Sequence, residues 1–442
     1  MPAAQIFKRS FTSKKLKQVY KDKILGRASV GLDSVTPKAF DESLDENILL
    51  ISKKVLAGNY HFTRYREVLI NKGRGKEPRV ISIPTVRDKL ALASYHLFLK
   101  ESFKDVIEEP LIHTIVGDIT HEVLAEQYDG FVKIDITKFY ASIDHNILFK
   151  KVKRKVRKTE AIAFLKKAIT TETIARSGPA KERKDIEKGV PEGLSISNIL
   201  ADIYLTDLKE IICSSFEVKY FRYVDDILIL CDAANAKRLE SFAIEVLKNK
   251  FNLIVSSQKT TSGKIRNGVP FLGYVFYNNK ISVRPAAEQK LENSLEELFR
   301  TWKKEKISTP LLIWRLNLRI AGCILDRKKY GWMFYYSQLN DLRIPFHLDW
   351  LVDRLFDRFN LKKPDDVKSF VRVYHEITKN VSRSTYLINV DMYSYADKLR
   401  ILSSIYGCKP SDTKNRNAVD SFFKETMFDE LQRLESDIQN FS

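Results

Sequence analysis

The run Phe221-Arg222-Tyr223-Val224-Asp225-Asp226-Ile227-Leu228-Ile229-Leu230 constrains this chain more than any other segment. Its aromatic and β-branched residues favour strands, yet two adjacent carboxylates stand in the middle of it. Carboxylates near a core are costly unless an opposite charge compensates them, and a bound divalent cation supplies one. The run therefore reads as two strands joined at a hairpin turn, with Asp225 and Asp226 as metal ligands. An ordinary Asp-Asp turn between two strands is the plain alternative.

A second run decides between them. Phe131-Val132-Lys133-Ile134-Asp135-Ile136-Thr137-Lys138-Phe139-Tyr140 has another buried-strand pattern with a single acid, Asp135, at its end. Facing each other from neighbouring strands, Asp135 and Asp225 would bridge two Mg²⁺ ions roughly 3.5–4 Å apart, with Mn²⁺ able to substitute. One ion would lower the pKa of an attacking 3′-hydroxyl. The other would neutralise a triphosphate and stabilise the leaving pyrophosphate. This is polymerase chemistry.

Further segments follow in order. Gly31-Leu32-Asp33-Ser34-Val35-Thr36-Pro37 with Phe40, and Leu56-Ala57-Gly58-Asn59-Tyr60, precede Arg79-Val80-Ile81-Ser82-Ile83-Pro84-Thr85-Val86-Arg87-Asp88-Lys89-Leu90. After the Asp135 strand come Gly189-Val190-Pro191-Glu192-Gly193-Leu194-Ser195-Ile196-Ser197-Asn198-Ile199-Leu200, the Asp225-Asp226 hairpin, Lys259-Thr260, and Phe271-Leu272-Gly273-Tyr274. In this order the chain resembles a bacterial reverse transcriptase of the group II intron and retron-like superfamily, most of all its free-standing, defence-associated members.

The resemblance implies an α+β fold: a right-hand polymerase with fingers and palm, an antiparallel sheet plus helices, then an all-helical thumb and C-terminal extension. The expected divisions are a helical segment at 1–60, fingers and palm at 61–285, thumb at 286–361 and extension at 362–442. Asp135, Asp225 and Asp226 would hold the two ions, aided by the Ile136 backbone carbonyl. Tyr140 would gate against the ribose 2′-hydroxyl, or Phe139 if the register differs. Lys72, Arg79, Glu192, Gly193 and Lys259 would surround the nucleotide. Gly193 and Ser197 are small enough to let nucleotide and primer-template approach closely. Glu192 departs from the family, which has Gln there, and it places a negative charge beside the incoming nucleotide.

The implied function is RNA-directed DNA synthesis: cDNA made with dNTPs from a companion noncoding RNA in bacterial antiphage defence. A retron-type or intron-derived enzyme, a template-independent abortive-infection polymerase, and a non-catalytic RNA-binding scaffold are the rivals. Three acids kept together against their mutual repulsion argue against the scaffold. The sequence shows no endonuclease motif, HxxxxH or CxxC pair.

Charge agrees with a polyanionic partner. Lys and Arg number 75 against 56 acids, a formal charge of +19, which favours nucleic acid over an acidic small molecule. Without an apolar run of membrane-spanning length or a signal peptide, a cytoplasmic, soluble protein with no membrane partner is expected. Four widely spaced cysteines show neither zinc nor disulfide spacing.

Local patterns predict strands at 64–70 and 79–83, joined by a turn bearing Lys72, Arg74 and Lys76. Asp144 begins a predicted helix with Ile147, Leu148, Val152 and Val156 on one face. Lys150, Lys151, Lys153, Arg154, Lys155, Arg157 and Lys158 cover the rest, a density that points to phosphate contact beyond what solubility needs. A long helix is predicted from Ser195 to Leu208, another from Lys237 to Phe251, and a strand from Phe251 to Val255. From Leu291 onward the pattern is helical.

Overall fold

The computed structural model describes residues 1–25, 29–71, 77–108, 110–176, 186–408 and 416–438. They form two compact units: Met1–Pro110 with Gly130–Gly263, and Leu111–Asp129 with Lys264–Ser442.

The first unit is organised by a four-stranded sheet in the order Lys219–Tyr223, Asp226–Cys231, Gly130–Asp135, Thr261–Lys264. The Asp226–Cys231 strand runs antiparallel to both Lys219–Tyr223 and Gly130–Asp135. All of Ile227 to Cys231 is buried, so this central strand shows no polar alternation, as expected for one covered on both faces. The helix Ala236–Phe251 packs on the sheet beside it. A smaller sheet pairs Tyr65–Ile70 antiparallel with Arg79–Ile83, and adds Thr173–Ile174 in parallel to the first of these. The helix Val86–Ser102, capped by the Thr85 hydroxyl and buried on most sides, packs on the N-terminal helices Ala3–Ser10 and Ser13–Val19. Phe7 from the Ala3–Ser10 helix and Phe11 just after it join Tyr95, Phe98 and Phe164 in one aromatic cluster.

Three sequence-predicted elements are shorter than expected. The helix capped by Asp144 ends at Val152 rather than continuing through Lys158. The Ser195–Leu208 segment divides into helices Ser197–Tyr204 and Leu208–Ser215, although Ile196, Ile199, Leu200, Ile203 and Leu208 are all buried as predicted. In place of a strand after Phe251, Asn252 turns left-handed at φ 51° and only Val255 bridges to Ile136. Asparagine tolerates that conformation and caps the preceding helix.

The second unit takes in the helix Ile112–Leu124 and three short antiparallel strands, Val269–Phe271, Tyr274–Phe276 and Ile281–Val283. Helices Pro285–Glu305, Thr309–Ala321, Arg343–Arg358, Phe370–Lys379 and Arg416–Ile438 follow. One feature corrects an all-helical reading after residue 286: Cys323–Leu325 and Lys328–Tyr330 form a hairpin. Gly322 and Gly331 make it possible. A Cβ on Gly322 would lie 2.2 Å from the Tyr330 carbonyl oxygen, and one on Gly331 would lie 2.6 Å from the Gly322 Cα. The last helix is tied into this unit by Arg315–Glu430 at 2.9 Å and Arg319–Asp437 at 3.7 Å.

Candidate active site

Strand register brings the expected acids together. Tyr223 pairs with Asp226, leaving Val224 and Asp225 as a two-residue turn, with Val224 at φ 56°. On its other side Asp226 pairs with Asp135. Three carboxylates thus meet at one end of the sheet, all half-buried. Burial raises the Asp225 pKa, and Asp135 and Glu192 raise it further, while Arg79 opposes them. Asp226 is pushed up to about 6 by burial, then by Asp225 and Asp135, against Lys133 and Lys259. Lys259 Nζ lies 3.4 Å from Asp135 Oδ1. Of the three acids only Asp135 has a cation within ion-pair distance among the described residues, and a trio of carboxylates is the donor set that a hard divalent cation takes. The bridge between Ile136 and Val255 is made by Ser256 N–H to the Asp135 carbonyl and Thr137 N–H to the Ile254 carbonyl. Neither bond uses the Ile136 carbonyl.

The loop from Gly189 to Ser197 is pinned beside these acids. Gly189 N–H donates to the Ile143 carbonyl and Val190 N–H to the Tyr140 carbonyl, both at 2.8 Å. The Ser197 hydroxyl donates to the Pro191 carbonyl at 2.7 Å, and Ser82 N–H to the Glu192 carbonyl at 2.7 Å. Gly193 adopts φ +95°, and a Cβ there would meet Ile81 Cγ2 at 2.6 Å, so the loop lies flush on the Arg79–Ile83 strand. Arg79 donates from Nε to the Glu192 carboxylate in an ion pair. Sequence reasoning foresaw both residues near the site but not their pairing.

Tyr140 and Phe139 are buried next to each other, with ring centroids 5.6 Å apart. The Tyr140 hydroxyl donates to Asn198 Oδ1 at 2.6 Å. Its pKa is raised by burial first and then by Asp225 and Glu192, with Arg79 opposing. Asn198 was missed as a partner, although it stands in the loop-helix segment already singled out. Asp202 was missed too: it pairs with Arg222 at 2.8 Å, whose Nη1 donates to the Val224 carbonyl at 3.1 Å and so braces the hairpin turn. Lys72, Arg74 and Lys76 lie outside the described residues.

The cationic stretch after Asp144 divides in the fold. Lys151 is turned inward, a correction to its expected place on nucleic acid: its ammonium donates to the Tyr204 carbonyl at 2.6 Å, pairs with Asp207 at 3.3 Å and sits 4.5 Å over the Phe251 ring. Burial pushes its pKa down to about 8 despite Asp207. Arg154, Lys155 and Lys158 pair with Asp207, Asp105 and Glu160 at 3.0, 2.5 and 3.0 Å. Lys150, Lys153 and Arg157 are exposed, with no ion pair among the described residues. The reason is helix length: with the helix ending at Val152, the later cations no longer share one face.

Residues 70–276 match the family model for reverse transcriptase (RNA-dependent DNA polymerase). The chain carries a reverse transcriptase domain. Enzymes of this class are nucleotidyltransferases, RNA-directed DNA polymerases, and the matched residues take in the whole four-stranded sheet of the first unit. Similar proteins include YkfC of Escherichia coli, 21% identical over 345 residues that cover 65% of this chain and 88% of that protein. An uncharacterized 91 kDa protein in the cob intron of Schizosaccharomyces pombe is 29% identical over 188 residues, 40% of this chain and 22% of that one. The group II intron-encoded protein LtrA of Lactococcus lactis is 25% identical over 195 residues, 42% of this chain and 31% of LtrA. This chain therefore spans less than a third of either intron protein. Among solved structures, telomerase from Candida albicans in complex with a fragment of telomeric RNA aligns over 92% of this chain and 66% of that one, with TM-score 0.44 and 12% identity. Among the described residues, no helix is long and apolar enough to cross a membrane.

Proposed function

We propose that this reverse transcriptase domain makes cDNA from a structured noncoding RNA, using dNTPs and two Mg²⁺ ions held by Asp135, Asp225 and Asp226. The convergence of those acids at one sheet end, beside Arg79 and Tyr140, carries the reading. Bound there, the ions would activate the 3′-hydroxyl and neutralise the leaving pyrophosphate. The chain's own groups do the rest. Arg79 offers a planar cation to phosphate oxygens. Tyr140, held by Asn198, stands where a ribose 2′-hydroxyl would collide. Gly193 lets the loop lie flush on the strand that carries Arg79, and Lys259 steadies Asp135.

The +19 charge of the chain supports a stably held RNA. Antiphage defence, the finer part of the proposal, is supported by the resemblance of the motifs to free-standing reverse transcriptases. The test is to sequence the RNA that copurifies with the protein and the labelled DNA it makes with Mg²⁺ and dNTPs. The expected DNA is complementary to one predominant bound RNA and absent from the Asp225→Ala/Asp226→Ala double variant. Product unrelated to bound RNA, or homopolymer made after RNase treatment, would replace this reading with template-independent synthesis.

A further inference from the structure

The pairing of Arg79 with Glu192 sets a condition on nucleotide binding. The two side chains are 39% and 26% exposed, open enough to meet a ligand yet close enough to neutralise each other. The loop that carries Glu192 is bonded to Tyr140 through Val190 N–H, so the pair stands beside the tyrosine expected to meet the nucleotide sugar. Glu192 is not free to leave. Its carbonyl is bonded to Ser82, the next residue is a glycine with no room for a Cβ, and the Pro191 carbonyl before it is held by Ser197. A pinned backbone keeps the carboxylate aimed at the guanidinium.

We propose that Glu192 is an internal competitor of the nucleotide: a triphosphate binds by taking Arg79 from this carboxylate. This rests on the placement of the nucleotide beside Arg79 proposed above. A guanidinium matches a carboxylate and a phosphate with the same fork of donors, so one partner is exchanged for the other. Several phosphate charges arriving beside Glu192 also repel it. A neutral amide at this position would leave the charge of Arg79 unanswered and available to the ligand. The carboxylate therefore sets a threshold, making the enzyme respond to dNTP levels at which an amide-bearing site would already be filled.

The competing role for Glu192 is to position Arg79 for the phosphate, and the two roles differ in sign. Calorimetric titration of the full-length protein with Mg-dTTP would compare wild type, Glu192→Gln, Arg79→Ala and the double variant, each checked for folding by thermal melting. Competition predicts that Glu192→Gln tightens binding by about tenfold, the scale of one charge-assisted hydrogen bond. It also predicts that most of this gain disappears when Arg79 is absent. Weaker or unchanged binding in Glu192→Gln would overturn the proposal in favour of positioning. An equal gain with and without Arg79 would overturn it in favour of plain repulsion. If Glu192→Gln does not fold, Glu192→Ala is read in the same cycle. Nucleotide incorporation is measured on the same preparations. A coupled cycle without incorporation would sink the polymerase reading alone, and incorporation with an uncoupled cycle would sink the competition alone.

Discussion

Replacing Asp226 with Asn should make the metal-free protein more stable while abolishing nucleotide incorporation. Asp226 sits between Asp225 and Asp135, and its pKa rises from the ordinary 3.8 to about 6, through burial first and then through Asp225. A carboxyl whose folded pKa is raised contributes stability below its unfolded pKa, and that contribution is lost as pH rises through the folded value. At pH 8 the ionised Asp226 therefore destabilises the fold by about 3 kcal/mol, from 1.36 kcal/mol for each pH interval between 3.8 and 6. At pH 5 roughly half of that remains. The assay is urea unfolding of wild type and Asp226→Asn in EDTA at pH 5 and pH 8. The variant should be the more stable, with a clearly larger difference at pH 8. Adding Mg²⁺ should then stabilise the wild type more than the variant, because the ions bind the acid cluster of the folded state. A variant no more stable than wild type at pH 8, or a difference independent of pH, would refute the claim that this carboxylate is held against its own electrostatics.

Two further outcomes follow from the same geometry. Tyr140→Ala, which removes a buried ring next to Phe139, should raise ribonucleotide incorporation relative to dNTP incorporation in a primer-extension assay; an equal fall in both would make Tyr140 a packing residue. Neutralising Lys150, Lys153 and Arg157 should flatten the salt dependence of RNA binding by roughly 0.7–0.9 in log-log slope for each phosphate that the protein no longer neutralises. Neutralising the internally paired Arg154 and Lys155 should flatten it less, and equal effects would show that the ion pairs do not withhold those cations.

The parts of this protein legible in its sequence are those governed by neighbours along the chain. Aromatic and β-branched residues marked the strands that carry Asp135 and the Asp225-Asp226 hairpin, and the two-residue turn between Tyr223 and Asp226 is a local property. The small residues Gly193 and Ser197 read as room for nucleotide and primer-template, but Gly193 fits against Ile81 and the buried Ser197 holds the Pro191 carbonyl, contacts made by the fold. Helix ends were less legible. The apolar period ran past Val152 and across Leu205–Asp207, and the helix ends there follow from where the next helix must pack, which no short window records.

Charge pairing was decided only by tertiary structure. Arg79 and Glu192 are 113 residues apart, and Lys151 meets a carbonyl 53 residues away. In the sequence Arg79 is a cation in a strand pattern, and Lys151 is one of a row of surface lysines. A cation's availability depends on which acid or carbonyl folding brings within about 3–4 Å, and that distance is set by sheet order and helix packing rather than by local composition. The sequence by itself determined which residues could do polymerase chemistry. The fold decided that one arginine faces the site already paired with a carboxylate, and that one lysine faces away from any ligand, because burial and partner geometry act through space.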